Sequence, residues 1–214
     1  MKKIDTTNTW INLYNSDKYK AYRYKTLLVK LKKLGVLDLP KNSRILDVAC
    51  GSGEALDILY EQGFRKLYGV DQNSYSYTDT SKYKISIGAV DGLFFETSNF
   101  DAIIITHALH HLGDFNQLRS LLITIKSLLV DGGKVFLIDF NSSLVLKLVL
   151  LLFKYKILYF TEYMRNYSRQ TLLEWDIIMR FLSYKKNLLS TINDNFSDVK
   201  ISYDLWHFYL SAKK

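Results

Sequence analysis

Ile45-Leu46-Asp47-Val48-Ala49-Cys50-Gly51-Ser52-Gly53-Glu54-Ala55-Leu56 passes from an apolar run through two glycines into helix-forming residues. The order reads as a buried strand, a tight turn and the first turn of a helix. Without a Cβ, Gly51 and Gly53 permit positive φ and let a ligand lie against bare backbone, while the helix that follows presents free N–H groups.

Outward from this unit the same texture repeats. Lys66–Asp71, Lys84–Gly88, Asp101–Thr106 and Gly133–Asp139 are short apolar runs that end on Gly, Asp or Thr, with helical spacing between them at Glu54–Gln62 and Phe115–Leu129. Together with Arg44–Ala49 this is the pattern of a parallel sheet. Val199–Tyr203 and Trp206–Ser211 read as a closing pair of strands. The expected fold is α/β, a doubly wound, mostly parallel seven-stranded sheet with an antiparallel C-terminal strand. Before the sheet, residues 1–40 read as a helical N-terminal extension that Gly35 and Pro40 stop. After the fifth strand, residues 141–195 are longer than a simple crossover requires and read as a helical cap. One domain over residues 1–214 accommodates all of this.

With 48% hydrophobic and 23% charged residues, disorder is excluded as a global state. The net charge of +8 comes mainly from scattered Lys rather than a block, a weak pointer to nucleic acid or membrane. Cys50 is the only cysteine, so no internal disulfide forms, and the start MKKIDTTNTW lacks the apolar core of a signal peptide. A cytoplasmic protein is the expectation. The most apolar stretch, Leu144–Phe160, is interrupted by Lys147, Lys154 and Lys156 and falls short of the roughly 20 residues of a transmembrane span.

Asp71 closes the second strand in Leu67-Tyr68-Gly69-Val70-Asp71, eighteen positions beyond Gly53. An acidic side chain there can accept from both hydroxyls of a ribose, which points to a nucleoside ligand. DVACGSGEAL, GVDQN, VDGLFF, FDAIIITHALHHL and LLVDGGKVFLIDF then fall in an order and spacing that resemble the class I S-adenosylmethionine-dependent methyltransferases, over roughly residues 44–140. A nicotinamide loop would usually read G-x-G-x-x-G, whereas this one resembles the methyltransferase form, with Asp47 three residues ahead of Cys50-Gly51-Ser52-Gly53.

The resemblance implies S-adenosyl-L-methionine as cofactor and a set of residues around it. Asp47, Ala49, Gly51 and Gly53 would surround the methionine part. Asp71 would hold the ribose, with Gln72 beside the adenine, and Asp91, Gly92 and Leu93 would border the same ring. Thr106 and His107 would flank the methionine end. Arg23 could fork onto the donor's carboxylate, although an exposed helix face explains the same residue.

His107-Ala108-Leu109-His110-His111 holds three of the chain's four histidines. No Cys pair and no H-E-x-x-H pattern accompanies them, so no metal is expected. His107 or His111 is a candidate general base, against the plainer reading of a histidine hydrogen-bonded to backbone at the pocket edge. Cys50 reads as a small filler in the turn, since no activating base is evident. His207 reads as structural.

Transfer of a methyl group to O, N or C of a small, partly apolar acceptor is the leading expectation, because residues 141–195 are rich in apolar and aromatic side chains. A second reading is an RNA or protein methyltransferase, supported by the charge and opposed by the absence of an N-P-P-Y-type sequence after the fourth strand. A third is a non-catalytic scaffold or interaction protein that retains the fold.

Overall fold

A parallel strand is covered on both faces, so it needs side chains that can be buried in both directions. Phe100–Thr106 meets that demand: Ile103 and Ile105 enter one core cluster while Ala102 and Ile104 enter the other. The computed structural model describes residues 17–73, 81–89, 99–141, 144–157 and 171–214, with Arg165 and Ser168 as isolated positions. The N-terminal stretch 1–16 therefore lies outside the description, as do 74–80 and 90–98.

The described strands are β1 (Arg44–Val48), β2 (Lys66–Asp71), β3 (Lys84–Ile87), β4 (Phe100–Thr106), β5 (Leu129–Phe140), β6 (Ser197–Tyr203) and β7 (His207–Lys213). They form a seven-stranded sheet in the order β3-β2-β1-β4-β5-β7-β6. Only β7 runs against its neighbours, pairing antiparallel with both β5 and β6. The expected sheet is present, with small differences at the strand ends. β1 stops at Val48 rather than Ala49 because Ala49 turns to φ 58°. β7 continues to Lys213, which finds a register partner in Lys134.

The helices are α1 (Asp17–Leu34), α2 (Glu54–Glu61), α3 (Phe115–Leu128), α4 (Leu144–Lys154) and α5 (Trp175–Asn195). α1 ends where Gly35 adopts φ 81°, the left-handed stop that a helix C-terminus commonly takes. α3 opens on a capping box: Asp114 accepts from the Gln117 backbone, and the Gln117 side chain accepts from the Asp114 N–H.

One face of the sheet is covered by α1 and α2, through Leu31, Leu34, Leu56 and Leu59, and the other by α3 and α5, through Leu118, Leu122, Phe181, Leu188 and Ile192. Of the stretch read as a cap, residues 142–143, 158–164, 166–167 and 169–170 lie outside the described residues. Its last third, α5, is a sheet-covering helix, because β6 and β7 extend the sheet beyond the reach of α3 alone. α4 buries Leu146, Leu150 and Phe153 and exposes Leu148 and Leu151, a one-sided pattern. Among the described residues no helix is long and apolar enough to cross a membrane.

This order reverses direction between β1 and β4, and ligands of such sheets bind outside the carboxyl ends of the strands at that point. The loop after β1, Asp71 at the end of β2 and His107 after β4 all lie on this edge.

Candidate functional site

After Val48 the chain makes its turn under tight backbone control. Ala49, Gly51 and Gly53 take φ of 58°, 54° and 84°. The Cys50 N–H donates to the Val70 carbonyl at 3.1 Å and the Gly53 N–H to the Cys50 carbonyl at 2.9 Å. A Cβ on Gly51 would meet nothing within 4 Å among the described residues, which leave open space in front of the loop. At Gly53 the situation is opposite: a Cβ would come within 2.8 Å of the Tyr83 hydroxyl. Glycine is needed at 53 for space as well as for φ.

Asp71 is buried and binds the loop directly. One carboxylate oxygen accepts from the Gly51 N–H at 2.8 Å, the other from the Asn73 N–H at 2.9 Å. A carboxylate offers about four lone-pair directions, so two remain for further donors. Asp47 stands one strand over, fully buried, and its Oδ1 has no hydrogen-bond partner among the described residues. Burial first, and then the nearby Asp71 charge, push its carboxyl well above the usual range. A cationic or N–H donor brought to Asp47 would relieve both.

Gln72 is exposed beside Asp71. Arg23 reaches from α1 to pair with Glu54 in the first turn of α2, next to Gly53, so α1 is tied to the loop. Asp91, Gly92 and Leu93 lie outside the described residues. The Cys50 thiol is wedged against β2, where a Cβ on Gly69 would come within 2.8 Å of its sulfur.

Thr106 is half-buried and ends β4. His107 follows at φ 54°, a left-handed conformation unusual for a residue with a side chain. Its Nε2 lies 2.8 Å from the Lys30 ammonium, which can only donate, so the ring accepts there and carries its hydrogen on Nδ1. Burial and then the Lys30 charge hold His107 well below the ordinary imidazole range. Burial lowers Lys30 in turn, to about 8. His207 completes the group at 3.4 Å from the same ammonium and is pushed by burial to about 4.

Three positions on, at His110, the surroundings change sign. His110 is buried and its Nδ1 lies 2.8 Å from Asp139, at the carboxyl end of β5. Asp139 also accepts from the His110 N–H at 3.2 Å and the Phe140 N–H at 2.7 Å. Glu174, buried just ahead of α5, approaches both His110 and His111. Against the cost of burial, the Asp139 charge raises His110 above its ordinary value. His111 is partly exposed, and desolvation followed by the charge on His110 lowers it to about 4.

The sequence assigns no role to Asp139 or Glu174, and Lys30 counts there only as one of the N-terminal basic residues. An acid closing the apolar run Val135–Ile138 was the available signal for Asp139. Nothing local marks Glu174 or Lys30, whose roles depend on contacts across more than sixty residues of chain.

A family profile described as a methyltransferase domain matches residues 17–181. Comparison with curated proteins gives no match. Among solved structures, phosphoethanolamine N-methyltransferase 2 of Haemonchus contortus in complex with S-adenosyl-L-methionine is similar at TM-score 0.60 and 15% identity, over 89% of this chain and 52% of that one. This chain thus spans about half of that enzyme's length. Magnesium protoporphyrin IX methyltransferase of Synechocystis PCC 6803 with bound SAH gives 0.59 and 14%, over 97% and 94%. A Pyrococcus horikoshii OT3 protein gives 0.61 and 16%, over 93% and 92%.

Proposed function

The chain belongs to the methyltransferase-domain family, and on that premise we propose that it binds S-adenosyl-L-methionine at the Gly51–Gly53 loop and methylates O, N or C of a small, partly apolar molecule. One observation carries the cofactor reading: the buried Asp71 carboxylate is fastened to Gly51 and still has acceptor capacity, beside open space at the loop.

The bound cofactor supplies a methyl group on a sulfonium, ready for in-line displacement. Asp71 accepts from the ribose hydroxyls, with Gln72 alongside. Ala49, Gly51 and Gly53 would present backbone to the methionine part, and the Asp47 oxygen that lacks a partner among the described residues would accept from its ammonium. Thr106 and His107 would border that end and Arg23 holds α1 against the loop; Asp91, Gly92 and Leu93, outside the described residues, are assigned to the adenine by the family resemblance alone. Orienting two reactants and excluding water can supply effective molarities of roughly 10⁵ M or more, so no covalent step is required. A base enters only if the acceptor starts protonated. Of the two candidates, His107 has its lone pair taken up by Lys30, whereas the His111 ring makes no hydrogen bond among the described residues.

Calorimetric titration with S-adenosylmethionine and S-adenosylhomocysteine tests the reading. Saturable binding is expected, weakened about 10–100-fold by Asp71→Ala, since hydrogen bonds to a charged group contribute about 1.5–3 kcal/mol. Labelled-methyl transfer to pools of small molecules, RNA and protein then identifies the acceptor class. Folded protein that binds neither nucleoside would overturn the cofactor reading, and transfer to RNA or protein alone would overturn the acceptor reading.

A further inference from the structure

His110 and His111 ride in the short 3-10 turn after β4, and Glu174 stands one residue ahead of α5. One ligand atom from each lies within 4.8 Å of the other two. His111 Nε2 is 3.6 Å from Glu174 Oε1, and His110 Nε2 is 4.0 Å from Glu174 Oε2. Those gaps exceed hydrogen-bond range. They suit two donors sharing one ion: with metal–ligand distances of about 2.0–2.1 Å, the edge of a tetrahedral site is roughly 3.4 Å.

The orientation of His110 is set from behind. Its Nδ1 is committed to Asp139 at 2.8 Å, which leaves Nε2 as the nitrogen facing Glu174. Asp139 is itself fixed by the backbone N–H groups of His110 and Phe140. A carboxylate behind a ligating imidazole is the usual support of a metal-bound histidine. His111, with 43% of its side chain exposed, provides a path from solvent and room for a fourth ligand.

We propose that His110 Nε2, His111 Nε2 and the Glu174 carboxylate bind one first-row divalent transition ion of the zinc kind, with Asp139 as the positioning residue. Two imidazoles and one carboxylate favour such an ion over magnesium or calcium, which take oxygen donors. Three protein ligands with an open position is the arrangement of zinc sites that exchange a ligand. The sequence has no linear metal motif because the third ligand arrives from the far end of the β5–α5 connection. An ion here occupies the His111 lone pair, so His111 serves as ligand and not as base.

The test uses the full-length, tag-free chain stripped with chelator, without methyl donor or acceptor, so its outcome is independent of the methyl-transfer reading. Calorimetry with Zn²⁺ should give one ion per chain, and Co²⁺ should develop the visible bands of a low-coordinate site that Zn²⁺ then abolishes. His111→Ala and Glu174→Gln should each weaken Zn²⁺ binding roughly 100-fold or more, and Asp139→Asn about 10–100-fold. Circular dichroism of the metal-free variants checks their folding. If Glu174→Gln does not fold, His111→Ala decides, because that side chain is partly in solvent. Absence of stoichiometric Zn²⁺ binding, or binding that His111→Ala leaves unchanged, would overturn the proposal while S-adenosylmethionine titration of the same protein still reports on the donor site.

Discussion

Two histidine clusters flank the carboxyl edge of the sheet, and they are built with opposite charges. Around His107 the neighbour is a cation, Lys30, delivered by α1, with His207 beside it. Around His110 the neighbours are carboxylates, Asp139 from β5 and Glu174 from the approach to α5. Three residues of sequence separate the two rings. The chain between them contains the positive-φ turn at His107 and the 3-10 turn Leu109–His111, and each ring takes its character from what the covering helices bring to it. Similar side chains therefore sit in environments that favour a neutral ring in one case and a charged or ligating ring in the other.

The largest expected consequence lies on the carboxylate side. Asp139→Ala removes the acceptor for the His110 ring, the His110 backbone and the Phe140 backbone at a fully buried position. Loss of one partner of a buried pair costs about 3–5 kcal/mol, so urea unfolding should show a sharply lowered midpoint. Lys30→Met on the other side should leave the protein no less stable at pH 7, since a half-buried ammonium is replaced by an apolar chain of similar length. Equal destabilisation by the two substitutions would break the contrast.

A smaller effect sharpens it through pH. The Lys30 ammonium titrates at about 8 in the folded chain against an ordinary 10.5. Between those values the unfolded chain retains a proton that the folded chain has lost, so stability attributable to this group rises as pH increases from 8 to 10.5. The gain is at most about 3 kcal/mol. Unfolding curves at pH 7, 8.5 and 10 should thus rise for the native sequence relative to Lys30→Met. A constant difference across the series would show that the pKa of the Lys30 ammonium is not lowered in the folded chain. The smallest effect is expected at the rim: His111→Ala should change the stability of metal-free protein by no more than about 0.5 kcal/mol, measured by the same urea curves.

Much of the scaffold was legible because its signals are local. The apolar runs of β1, β2 and β4 reveal parallel strands, since a strand buried on both faces leaves little room for polar residues. The glycine pair after β1 was legible for a similar reason, as a left-handed backbone excludes most side chains. The C-terminal region was less so. Helical periodicity in residues 175–195 was visible, but the same pattern serves a cap or a sheet-covering helix, and only the packing of Phe181, Leu188 and Ile192 against α3 separates them. Asp71 was placed at its strand end by pattern, whereas its hydrogen bond to Gly51 is a tertiary contact.

The sequence by itself determined the strands and their turns, because spacing of apolar and glycine residues acts over one strand or one helical turn, and its motifs carried the resemblance to the family. Only the tertiary structure decided which histidine meets a cation and which meets carboxylates. Those partners come from α1, β5 and the start of α5, and the field at a side chain depends on distance in space rather than along the chain.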